Sequence, residues 1–501
     1  MAKVKYILTT LFIIVISQVF SHAQAPGESP LERHFNILSE SDALKHGSWC
    51  FMVYDTSADT LIMSHNSRQR MVPASTQKLI TTASALLMLG HDYQYNTMLQ
   101  HDGEVDEAGT LHGNLYIKGS GDPAFGSSHM HDTLSLDTVY ARWKNMLDET
   151  GIQRINGHII ADGRVFDDEM VPPRWLWGHI GNYFGAGSTG LTVNENKYTV
   201  YFDAGKALAE PATVSHTKPL IPGMSFINEV TTGPAGSGDQ VYIFGVPYSS
   251  ERRLTGTVPL GSVNFPVRGS MPDPAYYASQ RLKDYFMAEG IEVSGEATTH
   301  RRAARDGVIP FEDRETIATW HAPGMFDIIY RTNLASVNTY AENLLKTIGA
   351  ETKNEGSRTA GLKAIAEYWD AYDMDPALES LHDGSGLATS NRVTAEQLMT
   401  VMIAAANHPT FQILYNSLPL AGYSGSLANH LRGSKSEGVL RAKSGFLNNV
   451  ISYAGFTPMQ NGNLAAFVII VNDYDGNAGA MRNNLMHLMN SVTLHDGSVL
   501  E

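Results

Sequence analysis

The texture of the chain changes after Gly90 and changes back near Asp273. From about His91 to Met271 many short runs of strand character are separated by Gly, Asp and Asn turns, as at Leu111–Ile117, Ile155–Ala161, Lys197–Phe202 and Val241–Val246. Long helical patterns are few there. Both flanks read differently. Ser48–Tyr54 is a strand, a turn follows near Asp55–Asp59, and Leu61–Met63 is the return strand. Beyond Asp273 helices dominate, at Ala275–Glu289, Met325–Thr332, Val337–Ile348, Thr359–Tyr372 and, behind a Thr394-to-Gln397 capping box, up to Ala406. Val439–Lys443, Val450–Thr457 and Leu464–Val471 are strands, the last two joined through Asn461-Gly462, and a helix from Ala478 to Ser491 follows them. The first hairpin and the last strands are expected to share one antiparallel sheet flanked by helices, an α+β pattern. The expected organisation is a discontinuous domain of residues 24–92 and 272–501, interrupted by an inserted β-rich region, 93–271, of two domains.

Residues 1–23 stand outside that fold. Lys3 and Lys5 precede a short apolar stretch, Ile7–Phe20, and Ser21-His22-Ala23 and Ala23-Gln24-Ala25 both fit small-residue cleavage sites. The stretch is short for a spanning helix and carries Thr9, Thr10, Ser17 and Gln18. Export with cleavage after Ala23 or Ala25 is expected, to the periplasm or another extracytoplasmic space, with no membrane span afterwards. The single cysteine, Cys50, has no partner for an internal disulfide and lies in an apolar run, which suits packing. With 36 basic and 51 acidic residues the formal net charge is −15, which argues against a nucleic-acid surface.

Ser75 and Lys78, in Pro73-Ala74-Ser75-Thr76-Gln77-Lys78, open a helix whose buried face is Leu79, Ile80, Ala83, Leu86 and Leu87. Spaced by three, the hydroxyl and the amine fall one turn apart on one face. A serine there sits on free backbone N–H groups at the positive end of the helix dipole. The spacing alone is common: Ser215–Lys218 repeats it, but Pro219 keeps Lys218 out of the helical region. Three later stretches change its weight. Ser336-Val337-Asn338 opens a helix, with Asn333 before it. Asp383-Gly384-Ser385-Gly386 is a Gly-rich turn ahead of Asn391-Arg392-Val393-Thr394. Lys443-Ser444-Gly445-Phe446 ends a strand. Each alone reads equally well as structure, and Ser-x-Asn recurs at Ser64–Asn66 and Ser262–Asn264.

In order, Ser-x-x-Lys, Ser-x-Asn and Lys-[Ser/Thr]-Gly form the motif set of active-site-serine penicillin-binding proteins and class A β-lactamases. The chain resembles the D-alanyl-D-alanine carboxypeptidase/endopeptidase family, the class C low-molecular-mass penicillin-binding proteins. The long interval from Lys78 to Ser336 is similar to that family's inserted domains. Gly119-Ser120-Gly121-Asp122-Pro123 is similar to its Gly-Gly-Asp-Pro turn, and Leu418-Pro419-Leu420-Ala421-Gly422, before Gly425-Ser426-Leu427, to its approach to the third motif. The resemblance implies a penicillin-binding-protein/β-lactamase-like sheet and a serine D,D-peptidase acting on peptidoglycan stem peptides, with β-lactam antibiotics as acylating inhibitors. It implies Ser75 as the acylated nucleophile, Lys78 as its activator, Ser336 as proton relay to the leaving amine and Asn338 as holder of the substrate's peptide carbonyl. Lys443 would supply positive charge, Ser444 would bond the substrate carboxylate, and the N–H groups of Ser75 and Phe446 would form the oxyanion hole beside Gly445. Asp383–Gly386 would buttress the site. No cofactor is implied.

A lysine acts as base only when neutral, and lowering its pKa from ~10.4 to about 7 requires roughly 4–5 kcal/mol of differential destabilisation. Burial and a second cation, for which Lys443 is the candidate, both act that way. A charged Lys78 with the base reached through Ser336 is the alternative. Two residues depart from the family pattern. Phe446 stands where a threonine is usual, which predicts weaker carboxylate recognition or altered substrate preference with acylation intact. Val337 replaces the usual Asp or Asn.

Other readings compete. The same serine chemistry would serve a β-lactamase or an esterase, and a non-catalytic peptidoglycan-binding envelope protein would keep the fold alone. Of 19 histidines the densest group is His129-Met130-His131-Asp132, which lacks a metalloprotease helix pattern, so no metal is expected. Asp473-Tyr474-Asp475-Gly476 reads as a turn rather than a calcium loop. Trp175 and Trp177, near Tyr183, fit either a carbohydrate or peptide groove or the core.

Overall fold

The structure is a computed structural model that describes residues 27–127, 135–307, 312–374 and 378–500. The expected cleavage sites and the His129–Asp132 group lie outside the described residues.

A five-stranded antiparallel sheet joins the two ends of the chain. Helix α1 (Pro30–Ser39) leads to β1 (Ser48–Asp55) and β2 (Thr60–His65). Helix α2 (Lys78–Leu89) follows the hairpin. Far along the chain come α3 (Asn338–Lys353) and α4 (Ala395–Ala406), then β3 (Arg441–Leu447), β4 (Val450–Pro458), β5 (Leu464–Asn472) and α5 (Ala478–Thr493). The strand order is β2-β1-β5-β4-β3, so the first hairpin and the last strands do share one sheet. Cys50 faces Ile470, and Ser444 faces Tyr453.

Both faces of this sheet are covered, which explains why β5 reads as an unbroken apolar run. Alternate residues point opposite ways. Cys50, Ala454, Ala466, Val468 and Ile470 pack with residues of α2, α3 and α4. Phe51, Val53, Tyr453, Phe467 and Ile469 pack with Leu31, Leu38, Met481, Leu485 and Met489 of α1 and α5. Cys50 is fully buried, and burial pushes its thiol up to about 12. The Thr394–Gln397 capping box forms as expected.

The stretch between α2 and α3 forms further sheets. Strands Ala297–Thr299, Ile159–Asp162, Leu115–Lys118, Asn96–His101 and Glu315–His321 form a five-stranded sheet, and a four-stranded sheet runs Glu292–Val293, Arg154–Ile155, Thr110–His112, Glu104–Val105. Smaller sheets are built from strands between Lys197 and Ser270. Three details differ from the sequence reading. The runs 111–117 and 155–161 are each two strands, broken at Gly113 and Gly157. A Cβ on Gly157 would lie 2.0 Å from the Gly113 carbonyl oxygen, so the chains kink past each other where neither has a side chain. A fourteen-residue helix, Leu136–Glu149, burying Val139, Tyr140, Trp143 and Leu147, stands among these strands. And strands as late as Glu315–His321 pair with strands of 96–162.

Candidate active site

The expected helix at Ser75 is a 3-10 turn, Ala74–Gln77, that becomes α-helical only at Lys78. Pro73 therefore precedes a 3-10 turn rather than opening an α-helix. In a 3-10 turn residues three apart eclipse, which stacks Lys78 over Ser75 more directly than an α-helix would. The turn enters through Ala74 at φ +47°, a left-handed conformation that a residue with a Cβ adopts at a cost of about 1–3 kcal/mol. It is tied down by Thr76 Oγ1 and Ser452 Oγ, which donate to the Pro73 carbonyl at 2.7 and 2.6 Å.

Lys78 is wholly buried. Its Nζ lies 3.0 Å from Ser75 Oγ, 2.6 Å from Asn338 Oδ1 and 2.7 Å from the Ser385 carbonyl oxygen. Two of these partners are acceptors only. A neutral amine has two N–H groups to give them, which leaves its lone pair for the Ser75 hydroxyl. The Asn338 amide is oriented by its other end, where Nδ2 donates to the Phe184 carbonyl at 2.7 Å. Burial lowers Lys78 to about 7, with Asp383 and Glu342 opposing. Of the two causes expected, burial makes the shift, and Lys443 is not among its causes. The repulsion between the two lysines appears at Lys443, which burial and then Lys78 hold well below the usual lysine range.

Lys443, on β3, donates to Ser336 Oγ at 2.9 Å and to the Ser444 carbonyl at 2.7 Å. Ser336 sits at φ +55°, just before α3. Ser444 Oγ donates to Ser426 Oγ at 2.6 Å. Gly445 lies against the turn: a Cβ there would be 2.9 Å from the Ser75 amide nitrogen, which sets β3, with Phe446 next along it, beside that N–H. Phe446 itself is 40% exposed. The side chains of Ser75, Lys78, Ser336, Asn338 and Lys443 therefore meet at one place, the junction of the 3-10 turn, α3 and β3, with Gly445 against the turn, while the Ser444 and Phe446 side chains point to the other face of β3, toward Ser426 and Tyr453. Asn333 does not join them; it bonds Thr82 and Ser417 in the core. Ser215–Lys218, the second Ser-x-x-Lys, lies in a strand.

The Gly-rich turn 383–386 lies beneath the site. Asp383 Oδ1 accepts from the Gly386 N–H at 2.9 Å and Asn391 Nδ2 at 2.8 Å, and Oδ2 from the Ala388 N–H at 2.7 Å and Trp175 Nε1 at 2.9 Å. Gln77 also donates to the Asp383 carbonyl. Trp175 is therefore core, packed with Leu387 and Ala388, whereas Trp177 is 55% exposed. Sequence reasoning passes over Glu342. Its buried carboxylate accepts from the Gly384 N–H (3.0 Å) and the Ser385 N–H (2.8 Å), and burial, then Asp383, raises it to about 7. The signal available was its place four residues after Asn338, on the same face of α3.

A buried amine on a serine hydroxyl, with a second lysine–serine pair alongside, is an arrangement suited to serine acyl transfer. The profile of the D-Ala-D-Ala carboxypeptidase 3 (S13) family matches residues 33–492, and the chain belongs to that family, which sets it among the serine D-Ala-D-Ala carboxypeptidases. The D-alanyl-D-alanine carboxypeptidase of Actinomadura sp. (strain R39) is 28% identical over 488 residues, covering 94% of this chain and 86% of that protein. The D-alanyl-D-alanine carboxypeptidase DacB of Haemophilus influenzae is 23% identical over 482 residues, covering 95% and 94%. The crystal structure of penicillin binding protein 4 from Haemophilus influenzae shares the fold, with a TM-score of 0.76 at 22% identity over 90% of this chain and 97% of that one. The sequence motifs and these whole-chain comparisons lead to one family and to the penicillin-binding-protein/β-lactamase-like fold.

Proposed function

We propose that the protein is an exported, penicillin-sensitive serine D,D-peptidase that cleaves D-Ala-D-Ala termini of peptidoglycan stem peptides, D-Ala crosslinks, or both, through an acyl-Ser75 intermediate. The observation that carries this is Lys78: its two acceptor-only partners take the N–H groups of a neutral amine and leave its lone pair on Ser75. Ser75 Oγ attacks the D-Ala carbonyl carbon as its proton passes to Lys78 Nζ. The oxygen that gains charge is held by the N–H groups of Ser75 and Phe446, each worth about 3–4 kcal/mol at the transition state. Asn338 holds the substrate's peptide carbonyl. Ser336, backed by Lys443, takes up the proton that Lys78 accepted as it gives its own to the leaving amine, so that Lys78 is neutral again. The C–N bond breaks, and water then hydrolyses the ester. Lys443 and Ser444 bind the substrate's carboxylate end.

With this reading go a leader of residues 1–23 and an extracytoplasmic location, in line with the sequence. Among the described residues no helix is long and apolar enough to cross a membrane. The catalytic domain comprises residues 24–92 and the C-terminal part of the chain. The pairing of strands up to His321 with strands of 96–162 supports ending the insert near His321 rather than at 271.

Intact-mass analysis after incubation with benzylpenicillin, beside Ser75→Ala, tests the reading. A one-to-one adduct on the parent protein alone, with D-alanine released from a pentapeptide, is expected. A folded parent protein that gains no adduct and releases no D-alanine overturns it. A rapidly vanishing adduct replaces it with a β-lactamase.

A further inference from the structure

Ser444 and Phe446 point to the same face of β3, two residues apart, while Lys443 and Gly445 face Ser336 and Ser75. The Phe446 ring stands edge-on to Tyr453, with centroids 6.1 Å apart and planes at 87°. Tyr453 is the residue opposite Ser444 in the β3–β4 ladder. Arg482, from α5, places its guanidinium carbon 4.7 Å above the Phe446 ring. The same guanidinium opposes the burial that raises the Tyr453 phenol, and it adds to the burial that lowers His430, four residues after Ser426. The ring at 446 and the phenol of Tyr453, the residue opposite Ser444, therefore border one cation, and Ser444 in turn bonds Ser426 at 2.6 Å. Among the described residues no carboxylate pairs with Arg482, and its Nε is buried without a hydrogen-bond partner.

We propose that Arg482 is a specificity residue that binds the substrate's free carboxylate, together with the hydroxyls of Ser444 and Ser426. The proposal rests on the function proposed above and adds the residue that reads the substrate's end. A guanidinium presents a planar fork of N–H donors that matches a carboxylate. A cation stacked on an aromatic face is held in place by it, and the N–H groups of Arg482 that do not face the Tyr453 phenol remain to meet an anion. The ring at 446 removes a hydroxyl from the third motif and carries a full positive charge in its stead. A cation there outweighs one neutral hydroxyl toward an anion, so this chain binds the carboxylate by charge, and the weaker recognition expected from Phe446 alone is reversed.

The test compares an N-acylated peptide ending in D-Ala-D-Ala as the free acid with the same peptide as its C-terminal amide. Parent protein, Arg482→Gln and Arg482→Lys are assayed, with rates referred to the fraction of each enzyme that benzylpenicillin labels after long incubation. The parent protein is expected to prefer the acid. Arg482→Gln is expected to lower kcat/KM on the acid by on the order of 10–100-fold and leave the amide within about twofold, so that the acid-to-amide ratio collapses. Arg482→Lys keeps part of that ratio, and added salt lowers the parent rate on the acid alone. An unchanged ratio in Arg482→Gln overturns the proposal, since a cation that only supports the fold lowers both substrates together. A parent protein inactive on both peptides and unlabelled at Ser75 fails earlier, at the proposed function itself, and removes this proposal with it.

Discussion

Glu342 and Lys78 hold Ser385 from opposite ends: the Glu342 carboxylate accepts its N–H at 2.8 Å, and its carbonyl accepts from Lys78 Nζ at 2.7 Å. Glu342 therefore fixes the acceptor that orients the amine, and its charge, with that of Asp383, opposes the burial that lowers Lys78. Glu342→Gln keeps the shape and removes the charge. The expected outcome is a slower enzyme whose acid limb in kcat/KM moves to lower pH, by about one unit, because Lys78 then loses its proton more readily. A loss of rate with the limb unmoved would make Glu342 a structural prop only.

Lys78 also links pH to stability. Its folded pKa of about 7 lies below the unfolded value of ~10.4. Between those values the unfolded chain binds the extra proton. The lysine's unfavourable burial is thus relieved as pH rises from 7 toward 10, by about 1.4 kcal/mol per pH unit at most. Urea unfolding of the parent protein at pH 7.5 and 9.5 is expected to show a larger gain than Lys78→Met shows, and Lys78→Met is expected to form no penicillin adduct. Equal gains in the two proteins would contradict a neutral, buried Lys78.

Gly445 has no room for a methyl group. A Cβ there would lie 2.3 Å from Ser452 Oγ, 2.7 Å from the Pro73 carbonyl oxygen and 2.9 Å from the Ser75 nitrogen. The first two atoms anchor the 3-10 turn, so Gly445→Ala pushes the turn away from β3. A shift of about 1 Å costs on the order of 100-fold in rate. The acylation rate constant, followed by mass, is the measurement; a rate within a few-fold of the parent's would show that the turn has slack.

Asp122 is buried, and burial raises it to about 7. Its Oδ1 accepts the Ala124 N–H at 2.8 Å, and its Oδ2 has no hydrogen-bond partner among the described residues. The raised pKa means that stability falls as pH climbs from the unfolded value of ~3.9 through 7, a penalty of roughly 4 kcal/mol above that range. Asp122→Asn removes the charge. Its Tm is expected to exceed the parent's at pH 8, and the stability difference is expected to shrink to roughly a third of that at pH 5. A pH-independent difference would refute the assignment.

The sequence makes the reacting groups legible because each sits in a contiguous motif: Ser75 with Lys78, Ser336 with Asn338, Lys443 with Gly445. It does not show what the backbone contributes. Phe184 holds Asn338 through a carbonyl, and Ser385 holds Lys78 in the same way. Any residue type can present a carbonyl, so composition carries no mark of either. Glu342 could be placed on the face of Asn338, but its targets are N–H groups in a turn more than 40 residues on. The helix at Leu136–Glu149 has helical spacing in Val139, Tyr140, Trp143 and Leu147, and a reading of the region as short strands misses it. The late return of Glu315–His321 to the inserted sheet has no local signature, since strand partners are chosen by packing.

The sheet also sets the order in which the protein can come into being. Ser48 is paired with Asn472, and β1 lies between β2 and β5. A growing chain holds Ser75 and Lys78 from early on. It has no β5 to close the sheet, and no Lys443 or Gly445 to abut the 3-10 turn, until its last segment has been made. A product truncated between Lys78 and Lys443 therefore carries the serine and the lysine without the strands that stand beside them. On the proposed function such a fragment is expected to be inactive, and activity to appear only with the late strands.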